Sequence, residues 1–179
     1  MLTGIRLISE AAELAAHRHT GQRRKGRAEE PYVNHLAEVA NLVSTATKGE
    51  DPELVAAGWL HDTLEDTETS KAELIRRFGE RVAGLVQECT DDMSLQQSER
   101  RRRQVEDAAK KSPGARLVKI ADKISNIRAR IHPDPTPETR EELADYLAFA
   151  ERVVKGCRGV NGTLERLFDD TVASARCTL

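Results

Sequence analysis

The stretch LVKIADKISNIRARI, residues 117–131, decides the fold. Leu117, Ile120, Ala121, Ile124, Ile127 and Ile131 recur at three- and four-residue steps, which is the spacing of one helix face and not the alternation of a half-buried strand. The same period continues on both sides. Upstream, it predicts a helix over residues 2–18 burying Ile5, Ile8, Ala12 and Ala15, and a second after Pro31 with Leu36, Val39, Ala40 and Val43 inward. Asp51 and Pro52 read as an N-cap and first-turn proline, and Ser70 and Glu73 have capping-box spacing. Val82, Leu85, Val86 and Cys89 form a further stripe. Downstream, Thr136 and Pro137 open a helix carrying Leu143, Leu147, Ala150 and Val154, and Leu164, Leu167, Phe168 and Val172 mark a last one. The expectation is an all-α, multi-helix fold in one domain over residues 1–179.

Composition agrees. Of 179 residues, 39% are hydrophobic but only 3% aromatic, so the core must be Leu, Val, Ile and Ala, a palette suited to packed helices. The 28 basic and 30 acidic residues give a formal charge of −2, with no global attraction to nucleic acid or an anionic membrane. No apolar run approaches the roughly 20 residues of a membrane span, and the N-terminus does not resemble a signal peptide. A cytoplasmic protein is expected. Cys89, Cys157 and Cys177 are odd in number and far apart, so neither a disulfide framework nor a cysteine zinc site is indicated. The arginine run 100–103 reads as a solvated face beside Glu99, Glu106 and Asp107. His17 and His19 suit a helix C-terminus, where a partly charged imidazole meets the dipole. Oligomeric state is not legible.

The chemistry gathers in WLHDTLED, residues 59–66. Read as continuous helix, His61 and Glu65 lie on one side and Asp62 and Asp66 on the adjoining row. Carboxylates this close repel unless a cation sits among them. One imidazole with carboxylates suits Mn²⁺, Fe²⁺ or Zn²⁺. Two other residues interrupt apolar helix faces: His35 in PYVNHLAEVA and Asp122 in the opening stretch. Asp122 alone could equally be an acid paired with Lys123 or an arginine.

Together, His35, the His61–Asp62 doublet and Asp122 resemble the H…HD…D signature of the HD-domain metal-dependent phosphohydrolases. Longer segments are more specific: QRRK at 22–25, PYVNH at 31–35, LHDTLEDT at 60–67, FGERVAGLV at 78–86, TDD at 90–92, SPGARLVKIADKISNI at 112–127 and VVKGCRGVN at 153–161. These resemble the RelA/SpoT-type alarmone hydrolases, above all the stand-alone small members, with no synthetase or regulatory domain.

The resemblance implies hydrolysis of the 3′-pyrophosphate of (p)ppGpp to GDP or GTP, with Mn²⁺ as the usual metal. It implies His35, His61, Asp62 and Asp122 as metal ligands and Glu65 and Asp66 as catalytic acid–base groups. Arg24, Lys25, Asn126 and Tyr146 would contact the nucleotide, with Arg128 a further candidate. Read without the resemblance, Arg24 and Lys25 are simply a basic loop, and Tyr146 also fits a core role. A lysine common after TDD is absent here, where Met93-Ser94-Leu95-Gln96-Gln97 stands, so phosphate contact could pass to Arg100 or Arg102. The alternatives are an HD-type phosphatase for another nucleotide such as NADPH, and a non-enzymatic module that senses alarmone or binds a partner.

Overall fold

A computed structural model of the chain describes residues 3–24 and 30–179. Its described residues form ten α-helices, one 3-10 turn and no strand beyond a single isolated bridge between Arg23 and Pro31. Residues 117–128 of the opening stretch lie in α8, Pro113–Arg128, while the expected continuation to Ile131 is replaced by a turn that leaves Ile131 half-buried; the helices are numbered in the order α1 (Gly4–Arg18), α2 (Val33–Ala46), α3 (Pro52–Leu60), α4 (Thr63–Asp66), α5 (Lys71–Phe78), α6 (Glu80–Cys89), α7 (Gln97–Asp107), α8, α9 (Pro137–Cys157) and α10 (Gly162–Arg176). Neighbours α2, α3, α6, α9 and α10 all pack on α8. Its apolar stripe is fully covered, and so are Lys119, Asp122, Lys123 and Ser125 on its other faces. A helix covered all round by soluble elements must give its polar residues partners or a cleft. That requirement places the site.

The start signals act as their chemistry requires. The side chains of Asp51, Ser70 and Thr136 each accept the backbone N–H three residues on, from Leu54, Glu73 and Thr139. Glu73 does not complete a reciprocal box, because its carboxylate takes Arg18 Nη2 at 3.0 Å instead. Gly79 joins α5 to α6 at φ +87°, a conformation a side chain would strain.

Helix α1 differs from expectation in its buried face, which is Leu7, Ala11, Leu14 and Ala15, while Ile5 is exposed. The small Ala11 and Ala15 let α3 lie close against α1. Close approach also joins α2 to α3. A Cβ on Gly58 would stand 3.1 Å from Ala40 Cα, so the two backbones nearly touch just where α3 delivers His61.

Candidate active site

The expected continuous helix through residues 59–66 is broken at the doublet. Helix α3 ends at Leu60, and Asp62 turns at φ −100° and ψ −2° before α4 begins. Asp62 is still tied to α4, since its carbonyl accepts Asp66 N–H at 2.9 Å. The break turns His61 and Asp62 inward toward α2 and α8 while Glu65 and Asp66 line the cleft above.

Four side chains from three segments, α2, the turn between α3 and α4, and α8, meet there. His35 Nε2, in the first turn of α2, lies 3.4 Å from Asp62 Oδ2 and 3.4 Å from Asp122 Oδ1 on α8. His61 Nε2 lies 3.0 Å from Asp62 Oδ2 and 3.9 Å from Asp122 Oδ1. His35, His61 and Asp62 alone already form a group that could hold an ion. Both imidazoles have Nδ1 occupied from behind: that of His61 at 2.9 Å from the Gly58 carbonyl, that of His35 at 2.9 Å from Ser125 Oγ. His61 Nε2 is buried and has no hydrogen-bond partner.

These observations fit a divalent ion. Donors about 2.1 Å from one ion stand about 3.0–3.4 Å from each other, close to the spacings seen. An unpartnered buried imidazole nitrogen facing carboxylates is a donor without a use in the protein alone. Two nitrogens and two carboxylates are a borderline-to-hard set.

Electrostatics follow from this crowding. Burial pulls the His35 imidazole down, but Asp122 and Asp62 outweigh it and raise its pKa to about 9. Burial opposes ionisation of Asp62 and Asp122 as well, yet the imidazoles hold the first carboxyl well below its usual range and Lys123 with His35 holds the second low. Glu65 and Asp66 behave oppositely, because burial and then the Asp62 charge push both carboxyls up. Glu65 is steadied through Oε2, which accepts Asp91 N–H at 2.9 Å.

Above the imidazoles is a cleft of about 240 Å³ that opens into a second of about 410 Å³. Tyr32, Glu65, Asp66, Arg100, Asn126 and Arg130 line both. Asn126 Nδ2 donates to Asp122 Oδ1 at 2.5 Å. Tyr146 is buried but forms part of the first cleft wall, with the Arg130 guanidinium 3.8 Å over its ring. A roomier cleft of about 610 Å³ between α7 and α9 has none of Asp62, Glu65, Asp66 and Asp122, all four of which line the 240 Å³ cleft.

Arg24 is placed at the rim of the second cleft, but its guanidinium is buried and turned to Ser125, donating to its carbonyl at 2.5 Å and its hydroxyl at 2.7 Å. Arg128 is not brought to the clefts above the imidazoles. Six residues past Asp122 is about 240° round the helix, and Arg128 donates to Glu38 Oε1 at 2.9 Å in a different depression. Lys25 lies outside the described residues.

Several contributors were missed in the sequence. Lys119 and Lys123 are buried cleft residues on α8, a placement the sequence did not suggest, although the pairing of Lys123 with Asp122 was among its readings: Lys123 donates to Asp122 Oδ2 at 3.1 Å and Gln104 Oε1 at 3.0 Å. Lys119 stands three residues before Asp122 and Lys123 three before Asn126, and that spacing was the available signal. Tyr32 donates its hydroxyl to Asp62 Oδ2 at 2.6 Å, and burial followed by the Asp62 charge pushes its own pKa up. His19 stacks on Tyr32 with ring centroids 5.2 Å apart, so it buttresses that contact as well as ending α1. The arginine run divides: Arg102 and Arg103 are exposed and paired with Glu99, while Arg100 and Arg101 line the cleft.

A family model described as "HD domain" matches residues 11–153. The guanosine-3′,5′-bis(diphosphate) 3′-pyrophosphohydrolase MESH1 of Mus musculus is 44% identical over 158 residues, 88% of each chain. The Drosophila melanogaster MESH1 is 42% identical over 161 residues, 90% of each. A solved structure described as a metazoan ortholog of SpoT that hydrolyses ppGpp superposes with a TM-score of 0.89 at 39% identity, covering all of both chains.

Proposed function

The chain belongs to the HD-domain family, alongside the MESH1 hydrolases, and from that premise we propose that it hydrolyses the 3′-pyrophosphate of ppGpp. The products are GDP and pyrophosphate. The observation that carries this reading is the meeting of His35, His61, Asp62 and Asp122 beneath a cleft lined by two carboxyls of raised pKa and by several cations. Those four residues would hold a divalent metal, which we take to be Mn²⁺, and when bound it would polarise a phosphoryl oxygen and lower the pKa of a water.

The chain's own residues supply the rest. Glu65, with Oε2 held by Asp91, keeps Oε1 to take a proton from the attacking water as the new P–O bond forms. Asp66, whose carboxyl burial biases toward the protonated form, returns a proton to the ribose 3′-oxygen as its bond to phosphorus breaks. Lys119, Lys123, Arg100 and Arg130 place positive charge where the polyphosphate lies. Asn126 and Tyr146 on the walls, with Lys25, contact the nucleotide in this reading. Among the described residues no helix is long and apolar enough to cross a membrane. A cytoplasmic site of action is proposed, in keeping with three free thiols.

A substrate panel with Mn²⁺ tests the proposal. Turnover of ppGpp, lost in Asp62→Ala and Glu65→Ala proteins that retain their helical circular dichroism, is expected. Turnover of NADPH with none of ppGpp would overturn the substrate, and binding of ppGpp without turnover would overturn the enzyme.

A further inference from the structure

Behind His35 lies a group of side chains with no part in the proton transfers. Ser125, on α8, is completely buried, and three groups surround its hydroxyl. Glu38 Oε2 is 2.5 Å away, Arg24 Nη2 2.7 Å and His35 Nδ1 2.9 Å. A hydroxyl has one proton to give and two lone pairs to fill. A carboxylate can only accept and a guanidinium can only donate, so the Ser125 proton goes to Glu38 and one lone pair takes the Arg24 N–H. The remaining lone pair is open only to an N–H from His35. Glu38 is kept anionic by Arg128 Nη1 at 2.9 Å and Arg24 Nη1 at 3.6 Å. Donor counting thus puts a proton on His35 Nδ1, so Nε2, which faces Asp62 and Asp122, is the nitrogen that gives up its proton when a cation binds.

The geometry points to Ser125 and Glu38 as positioning residues that fix His35 in its Nδ1–H tautomer and so present Nε2 to a divalent cation. This rests on the reading of His35 as a metal ligand. His61 needs no such device, because the Gly58 carbonyl behind it can only accept. A hydroxyl can face either way, and it is Glu38, three residues along α2 from His35, that sets its direction. Removing a hydrogen bond behind a ligating histidine weakens metal binding about 10–100-fold.

The test is the Mn²⁺ dissociation constant, read from the free Mn²⁺ resonance in titrations of wild type, Ser125→Ala, Glu38→Ala and His35→Ala, each checked for helical content. Ser125→Ala and Glu38→Ala are expected to weaken Mn²⁺ by about 10–100-fold. Either variant binding as wild type removes that residue from the relay, provided His35→Ala binds more weakly. If His35→Ala also binds as wild type, it is the ligand reading that fails. Wild type alone supplies an independent readout: in ¹⁵N-histidine-labelled protein loaded with diamagnetic Zn²⁺, His35 should carry its proton on Nδ1. Metal at Nδ1 would overturn the inference.

Discussion

Of two glycine-to-alanine substitutions, only one should raise stability, and the reason lies in what each new methyl group meets. Alanine exceeds glycine by about 1 kcal/mol in a helix interior. At Gly84, inside α6, a Cβ has nothing within 4 Å, so Gly84→Ala should realise that gain. For a chain of this size about 1 kcal/mol corresponds to a rise in Tm of about 2–4 °C. At Gly58 the Cβ would lie 3.1 Å from Ala40 Cα and 3.4 Å from Ala40 N. Those are backbone atoms of a packed helix and cannot rotate aside, so α2 must shift by a few tenths of an ångström. Overpacking of this kind costs about 1–3 kcal/mol, which equals or exceeds the propensity gain. Gly58→Ala should therefore leave Tm unchanged or lower it by up to several degrees. It should also weaken Mn²⁺ binding, because α2 carries His35 and α3 leads into His61. Calorimetric melts with and without Mn²⁺ read both effects. A Gly58→Ala protein as stabilised as Gly84→Ala, with wild-type Mn²⁺ affinity, would refute the claim that contact between α2 and α3 sets the site's geometry.

Other outcomes follow from individual groups. Glu65→Gln should lower kcat by about 10²–10⁴-fold with Mn²⁺ affinity little changed, measured by pyrophosphate release and metal titration. Because burial raises the Glu65 carboxyl and the base must be ionised, kcat/KM should fall as pH drops through a value above the ordinary 4.5 of a glutamate, and the pH–rate profile gives it. Asp51→Ala should cost about 1 kcal/mol by denaturant unfolding, through loss of the α3 cap. The hydrogen bond from Arg81 lowers the Asp51 pKa, so this stabilisation is present above pH 3.8 and lost as pH falls through the lower folded value; an unfolding series across acid pH checks the sign. Chelation of the metal should lower Tm reversibly, since an ion that binds only the folded protein stabilises it.

Local physics was legible in the sequence where a single element determined it. The α8 stripe, the caps at Asp51, Ser70 and Thr136, and the all-helical composition needed no tertiary information. Asp122 was visible because an acid in an apolar stripe is costly, although its Lys123 pairing and its place beside His35 both turned out to be present. The break at His61–Asp62 was hidden, since helical spacing continues across it and only packing against α2 and α8 shows the turn. The contacts of Arg24 and Glu38 with Ser125 were unreadable for a related reason: Ser125 is 101 and 87 residues away from them in the chain. Arg100 and Arg101 looked solvated because the surfaces of α8 and α9 that make a cleft beside α7 are far off in sequence.

The most direct measurement is product identification by ³¹P NMR after incubating the purified protein with Mn²⁺ and ppGpp. Stoichiometric GDP and pyrophosphate, dependent on the metal and absent with Asp62→Ala, is the predicted result. Orthophosphate as the released product, or cleavage that persists in Asp62→Ala, would contradict it.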